Sequence, residues 1–175
     1  MQSKEISVEN TMHSFETERL IIRLLEQGDR GFFVSLYTDP KIMRHIGEPF
    51  SDKKAHSSFK TAIKLNTETP IKQLLWGIID KSSKEICGIQ NLSLHYEDKR
   101  VAEAGLILAR KAQGRFYPEE ALVGMVNYGF TQLGLSSIYA YSSVRNRASK
   151  RVVTKAGFHQ FDETESKISF KIESE

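Results

Sequence analysis

Two strand–helix–strand passages follow one another between residues 101 and 160, and few architectures accommodate both. An apolar strand at 101–109 precedes a helix predicted over 118–134, in which apolar residues recur at helical spacing. A second strand at 136–144 precedes a capped helix predicted over 146–158. Connections of this kind pack helices against both faces of a mixed sheet. The sequence therefore predicts an α/β fold.

The remaining periodic segments complete this sheet. Their order is a strand at 15–25, helices at 28–39 and 51–66, strands at 73–80 and 85–94, and a closing strand at 166–172. We expect about seven strands, with helices on both faces, in a single domain that spans residues 15–175. The polar residues 1–14 are expected to form a flexible N-terminal segment.

Composition excludes several classes of protein. The chain has 175 residues, 39% of them hydrophobic, and can bury a core without help from disulfides or metals. No apolar run reaches the roughly 20 residues that span a bilayer, and the start lacks the apolar centre of a secretory signal. We therefore expect a cytoplasmic protein with no membrane partner. Its five histidines are scattered singly, so no metal site is predicted.

The single cysteine and the net charge give little information about function. Cys87 is the single cysteine and lies in an apolar, strand-like run, which favours a buried core residue over a nucleophile. The net charge of +3 is too small to indicate nucleic-acid binding, which is not expected. Two basic groups occur, one at Arg110, Lys111 and Arg115 and one within residues 145–155. Solvated surface charge explains them, and they would also suit a phosphorylated ligand or an acidic partner.

Asn146 stands where a helix begins, and Gly157 stands where it ends. The letters N-R-A-S and T-K-A-G-F at this spacing resemble the second signature of the GCN5-related N-acetyltransferases. The stretch ETERLIIRLLEQGDRGFF resembles the opening of the ribosomal-protein N-terminal acetyltransferase (RimJ/RimL-like) branch. PKIMRHIG, WGIIDKSSKEICGI and AEAGLIL follow in the order expected of that branch. The resemblance covers residues 15–172, nearly the whole chain.

The resemblance implies the acyl-coenzyme A N-acyltransferase fold, in which the sheet splays open in the middle and acetyl-coenzyme A enters the gap. The pantetheine arm would pair like an added strand with the backbone of Leu106, Ile107 and Leu108. The pyrophosphate would lie on a helix N-terminus and on the loop before it, formed by Gln113, Gly114, Arg115, Phe116 and Tyr117. The implied set is completed by Arg151, by Ser149, and by Asn146, which would bond the pantetheine arm or cap its own helix.

The loop QGRFYP departs from the family pattern, Gln/Arg-x-x-Gly-x-Gly/Ala, at two positions. Phe116 replaces a glycine, which adds a Cβ and restricts the backbone. Pro118 replaces a glycine or alanine and removes an N–H, and Glu119 adds a carboxylate beside the expected diphosphate. The same letters also describe an ordinary helix start, with proline at the first position and Glu119 and Glu120 in the first turn. The sequence leaves both interpretations open.

Acetyl transfer to an amine needs a base for the ammonium proton and an acid for the leaving thiolate. Many family members use a tyrosine as the acid, but its position here is Val153. The resemblance implies instead that Ser149 hydrogen-bonds the thiolate. Glu103 matches a strand glutamate of this branch and is the candidate base, although a salt bridge would also explain it. The amide of Ile107 or a near neighbour would polarise the thioester carbonyl.

These residues together imply an acetyl-coenzyme A-dependent N-acetyltransferase in which an amine attacks the thioester directly. A protein N-terminus, such as that of a ribosomal protein, is the first candidate acceptor, and a small amine or antibiotic is the second. The acceptor is expected to enter between residues 40–66 and a hairpin at 161–168, in a monomer or homodimer. The alternative is a protein that keeps the fold but has lost catalysis and serves in binding or regulation.

Overall fold

An eight-stranded mixed sheet organises the computed structural model, which describes residues 12–175. Its strands are β1 (Phe15–Glu16), β2 (Leu20–Leu24), β3 (Gln73–Asp80), β4 (Ile86–Leu94), β5 (Val101–Leu108), β6 (Ser137–Ser143), β7 (His159–Glu163) and β8 (Lys167–Glu173). The α-helices of these residues are α1 (Arg30–Thr38), α2 (Pro40–Met43), α3 (Asp52–Leu65), α4 (Tyr117–Gln132) and α5 (Arg147–Lys155). The strands lie in the order β1-β2-β3-β4-β5-β6-β8-β7, and β5 and β6 form the parallel pair. The predicted α/β fold is confirmed.

Alternation along β3 builds the two faces of this sheet. Leu74 and Trp76 point toward α4 and α5 and belong to one buried core. Leu75 points to the other face, where it packs with Phe33 of α1 and Phe59 of α3. Trp76 is fully buried, so its truncation to alanine would cost about 3–5 kcal/mol. The predicted helices on both faces are confirmed.

The segment predicted as one strand over 15–25 forms two strands, which raises the number from about seven to eight. The Thr17 N–H donates to the Leu20 carbonyl at 2.9 Å and turns the chain between them. β1 and β2 therefore pair as an antiparallel hairpin.

The flexible segment predicted at residues 1–14 falls mainly on residues 1–11, which lie outside the described residues. His13 is held by two contacts. Its carbonyl accepts a hydrogen bond from Trp76 Nε1 at 2.6 Å, and its Nδ1 lies 2.7 Å from the Tyr128 hydroxyl. His13 therefore contacts both β3 and α4.

The ends of α4 and α5 and the burial of Cys87 can be compared with their predictions. α4 begins at Tyr117, so Pro118 occupies the second helical position and not the first. α5 ends at Lys155, and Gly157 follows with φ +96°, as its position after the helix predicts. Cys87 is buried as expected, and burial raises the pKa of its thiol to about 11.

The parallel pair β5–β6 comes apart along its length. Pairing runs from Val101 with Ser137 to Ala104 with Ala140 and then stops. Both strands continue, β5 for four residues and β6 for three. The sheet is therefore splayed in the middle, as the family resemblance implies.

Candidate active site

A cleft of about 870 Å³ lies between the diverging ends of β5 and β6. On one side it is lined by the α1–α2 region and by the turn before β8, and on the other by α4 and α5. These helices cover opposite faces of the sheet, so the cleft passes through it. Two reactants can therefore approach each other from opposite faces.

The backbone of β5 presents alternate residues to its two neighbours. The Ala109 N–H donates to the Cys87 carbonyl, so odd-numbered residues in this uninterrupted register bond to β4. The even-numbered residues face the other way, where β6 has already diverged. The backbone groups of Leu106 and Leu108 are therefore turned toward the cleft. The amide of Ile107 faces β4, so its two neighbours are better placed to polarise a carbonyl.

The loop before α4 keeps several amides free. Within the described residues, the backbone N–H groups of Arg115, Phe116, Tyr117 and Glu119 donate no hydrogen bond, and no side chain caps the helix. Phe116 adopts a left-handed conformation, with φ +60°, and Gly114 has φ +82°. The expectation that Phe116 denies the loop such a backbone is wrong. Free amides and the helix dipole together favour an anion at this point.

The unusual residues of this loop do not obstruct the cleft. Pro118 and Leu122 are four residues apart on one stripe of α4, and both line it. Glu119 lines a second groove on the other flank of α4, called here the outer groove, together with Phe116. The Phe116 ring is 59% exposed and lies 5.1 Å from the Lys155 ammonium. The Glu119 side chain therefore lines the outer groove and not the cleft.

Glu120 is held away from the free amides by the β1–β2 hairpin. Its carboxylate accepts hydrogen bonds from Thr17 Oγ1 at 2.5 Å and from the N and Nε atoms of Arg19 at 2.7 and 2.6 Å. Burial alone would raise the pKa of Glu120, but these hydrogen bonds outweigh it and hold the pKa below its usual value. Glu120 is therefore engaged elsewhere and leaves the α4 amides open.

Arg19 and Asp80 fix the loop in place. The Arg19 guanidinium donates to the Arg115 carbonyl at 2.9 Å and lies 4.6 Å from the centre of the Tyr117 ring. The Tyr117 hydroxyl donates to Asp80 Oδ2 at 2.8 Å. Hydrogen bonds from Ser82 and Tyr117 lower the pKa of Asp80 to about 2. Tyr117 can therefore offer a ligand its amide but not its buried phenol.

The start of α5 differs from that of α4, because the side chain of its N-cap residue caps the helix. Asn146 Oδ1 accepts a hydrogen bond from the Ser149 N–H at 3.0 Å, so Asn146 caps the helix. Both residues line the cleft, and the Ser149 hydroxyl has no partner among the described residues. Val153, at the position where the family resemblance implies a tyrosine, is buried and also lines the cleft. Ser149 is therefore the hydroxyl donor that α5 offers to the cleft.

Two acceptors of hydrogen bonds lie side by side on the opposite face. Glu103 is exposed, lines the cleft and forms no ion pair within the described residues. Asn91 of β4 pairs with Gly105, and its Nδ2 donates to Ser93 Oγ at 3.2 Å. A Cβ at position 105 would overlap Asn91 Oδ1, so glycine leaves room for this oxygen. Asn91 Oδ1 and the Glu103 carboxylate can together accept hydrogen bonds from an ammonium group.

Tyr141 and Lys167 lie beside these acceptors. The Tyr141 ring is 41% exposed, and the Lys167 ammonium lies 4.5 Å from its centre. Burial, followed by the nearby Glu103 carboxylate, raises the pKa of the Tyr141 hydroxyl. Tyr141 therefore stays a neutral hydrogen-bond donor and acceptor at neutral pH.

Only part of the predicted set faces this cleft. It is lined by the predicted residues Glu103, Leu106, Ile107, Leu108, Gln113, Asn146 and Ser149. Outside the lining lie Gly114, Arg115, Phe116, Tyr117 and Arg151. The loop residues among these can still contribute amides, whereas Arg151 is an exposed side chain on α5.

Sequence reasoning missed Asn91, Tyr141, Lys41 and Lys167. All four lie on strands or helices, and only the packing of these elements around the cleft brings them together. Asn91 carried no usable signal either, because Gln90 in the same strand EICGIQNLSL is also an amide, yet it is fully buried and lies outside the cleft.

Comparison with known proteins agrees with this geometry. Residues 19–159 match the family described as Acetyltransferase (GNAT) domain. The chain belongs to the GNAT acetyltransferase family. Over 147 residues it is 29% identical to YoaA, an uncharacterized N-acetyltransferase of Bacillus subtilis (strain 168), covering 83% of this chain and 82% of the relative.

Solved GNAT structures share the fold. The spermidine N-acetyltransferase from Vibrio cholerae, in complex with CoA and spermine, matches with a TM-score of 0.78 and 22% identity, covering 89% of this chain and 95% of that one. The ribosomal-protein-S5-alanine acetyltransferase from Vibrio fischeri matches with a TM-score of 0.75 and 19% identity, covering 91% and 96%. The two proteins have different acceptors, so the shared fold leaves the acceptor of this GNAT chain open.

Among residues 12–175, no group of three or more histidine, cysteine, aspartate or glutamate side chains could hold a metal ion. Nor does this part of the chain contain a helix that is long and apolar enough to cross a membrane.

Proposed function

We propose that this chain transfers the acetyl group of acetyl-coenzyme A to a primary amine, in the cytoplasm and within a ternary complex. The single observation that carries the proposal is the uncapped start of α4. Its free amides, those of residues 115–117 and 119, flank Pro118, which lines the cleft that crosses the sheet, and a diphosphate would satisfy them.

The donor would occupy the α4–α5 side of the cleft. Its pantetheine arm would pair with the backbone of Leu106 and Leu108, and Gln113 would lie beside its diphosphate. One of the two strand amides would also polarise the thioester carbonyl. The Ser149 hydroxyl would donate to the departing thiolate. Asn146, which already caps α5, would position Ser149.

The acceptor would occupy the opposite side, between the α1–α2 region and the turn before β8. Its ammonium group would bind to Glu103 and to Asn91 Oδ1. Glu103 would take the proton, directly or through water, and the free amine would attack the thioester carbonyl. A protein N-terminus, as in the ribosomal-protein branch, and a small amine or antibiotic both fit this chemistry.

The test is steady-state acetylation of a panel of amines with wild-type protein and with Glu103→Gln. We expect the variant to lose about 100- to 10,000-fold in kcat, because a positioned base contributes that much. Glu97→Gln is a matched control, since Glu97 is exposed and lies outside the cleft. Equal kcat in wild type and Glu103→Gln would contradict the proposed role.

The alternative, a GNAT-fold protein without catalysis, predicts a different pattern. A binding or regulatory protein would produce no acetylated amine with any member of the panel. If such a protein had also lost coenzyme binding, acetyl-coenzyme A would produce no thermal shift. A protein that still binds it would be stabilised by about 2.7 kcal/mol at a ligand concentration of 100 times the Kd. Turnover with any amine excludes this alternative.

A further inference from the structure

The cleft carries a marked excess of positive charge. Among its lining residues, Lys41, Lys167, Arg145 and Arg147 are cations, and His45 can become one. The lining contains a single carboxylate, Glu103. None of the ion pairs of the described residues includes these lining cations. The basic side chains are therefore uncompensated.

Lys41, His45 and Lys167 lie on the acceptor side of the cleft, whereas Arg145 and Arg147 lie at the start of α5, on the donor side. The hydrogen-bond acceptors Glu103 and Asn91 Oδ1 lie on the sheet, at the centre of the molecule. Lys41 and His45 belong to the exposed α2 region, and Lys167 is the first residue of β8. The path of the acceptor therefore runs from a basic rim to an acidic centre.

Two acidic residues near the α2 part of this rim, Asp39, which caps α2 with its carboxylate, and Glu48, lie outside the lining of the cleft. Glu163 and Glu165 belong to the same hairpin as Lys167 but lie outside the lining of the cleft. Gln160 Nε2 already donates to Glu163 Oε2 at 2.6 Å. Lys167 instead lies over the Tyr141 ring, inside the cleft.

Resting on the proposed function, we infer that the acceptor is an amine that also carries a carboxylate. Its ammonium would reach Glu103 and Asn91, and its carboxylate would stay at the rim with Lys41, His45 and Lys167. An α-amino acid and a peptide N-terminus followed by acidic residues share this chemistry. A polyamine would meet repulsion at the same rim, because like charges at short range disfavour binding.

The test compares kcat/KM of the wild-type protein for matched acceptors. One arm uses a short peptide with aspartate at positions two and three against the same peptide with lysine there. A second arm uses aspartate against aspartate diamide, and a third uses spermidine. We expect at least a tenfold preference for the acidic member in one of the first two arms, decreasing with salt. The arm that shows it distinguishes a peptide from an amino acid.

Variants of the basic rim test whether it causes the preference for acidic acceptors. The double variant Lys41→Gln/Lys167→Gln should lower the acidic-to-neutral ratio toward one. Lys60→Gln should keep it, because Lys60 is exposed on α3 and lies outside the cleft. An acetyl-coenzyme A thermal shift equal to that of wild type checks that the double variant is folded.

The outcomes separate the two claims. Equal ratios, or a preference for spermidine, would overturn the inference and leave the acetyltransferase function intact. A preference that survives in the double variant would overturn the assignment to this rim. The absence of turnover with every acceptor would overturn the proposed function, and the inference with it.

Discussion

The starts of α4 and α5 face the same cleft but are built in opposite ways. Asn146 caps α5 with its own side chain, so this helix satisfies its first amides internally. α4 has no side-chain cap, and its two first-turn glutamates are directed elsewhere. A self-capped helix needs no ligand, whereas an uncapped one at a cleft is completed by an anion. On this difference rests our proposal that the diphosphate binds at α4 and that α5 has a positioning role.

The largest effect is expected from a charge placed at the α4 start. Gln113→Glu adds a carboxylate to the cleft lining with almost no change in shape. At a separation of about 8 Å and an effective dielectric constant of about 20, repulsion costs about 2 kcal/mol for each of the two negative charges of the diphosphate, so Kd should rise by at least about 30-fold. Isothermal titration with acetyl-coenzyme A measures it. Gln27→Glu, an equal change on an exposed residue, should leave the Kd within twofold.

The next effect concerns the contacts that keep Glu120 away from the amides. Glu120→Gln should lower the free energy of unfolding at pH 7 by about 1–2 kcal/mol, because it weakens charge-assisted hydrogen bonds to partly exposed Arg19. The folded pKa of Glu120 lies below its usual value. Its contribution is therefore present above the unfolded pKa and is lost as the pH falls through the folded pKa.

Denaturant unfolding of both proteins between pH 3 and pH 7 checks this sign. The difference in stability between wild type and Glu120→Gln should shrink below about pH 4.3, where the unfolded carboxyl becomes protonated. A difference that grows on acidification would contradict the assignment.

A smaller effect is expected at the start of α5. Asn146→Ala should cost about 1 kcal/mol in stability, the usual value of a helix cap. Acetyl-coenzyme A should still bind within about threefold of the wild-type Kd, because the diphosphate lies at α4. Thermal unfolding and titration of the same variant provide both numbers. A tenfold loss of affinity without a loss of stability would reverse the roles of the two helices.

The smallest effect is expected from Glu119→Gln. This residue is adjacent to the free amides in sequence but lines the outer groove. Removal of its charge should change the Kd for acetyl-coenzyme A by less than twofold, when measured by the same titration. An increase of tenfold in affinity would show that its carboxylate does reach the diphosphate.

The sequence alone predicts the secondary-structure elements better than it predicts the directions in which their side chains point. Strand β5 and the helices after it follow from periodicity, and Asn146 and Gly157 mark the ends of α5 correctly. The direction in which the Glu119 side chain points depends on the residue at which α4 begins. A shift of that start by one residue would rotate the side chain by about 100° around the helix axis. The engagement of Glu120 depends on Arg19, which is about 100 residues away in the chain. Such long-range partners leave no local signal.

The backbone conformation of Phe116 is a second feature that the local sequence does not predict. A residue other than glycine at φ +60° costs about 1–2 kcal/mol, so the sequence argues against that conformation. The hydrogen bond of Arg19 to the Arg115 carbonyl and the anchoring of Tyr117 to Asp80 hold the loop on either side of it. Tertiary contacts therefore override the local preference.

The most direct test of the open α4 start is amide chemical-shift mapping of the ¹⁵N-labelled protein during titration with coenzyme A. At saturation, we expect large shifts for the amides of Arg115, Phe116, Tyr117 and Glu119, because the diphosphate accepts their hydrogen bonds. Pantetheine, which lacks the diphosphate, should leave these four amides nearly unchanged. Saturable binding of coenzyme A that leaves the four amides unshifted would contradict the account.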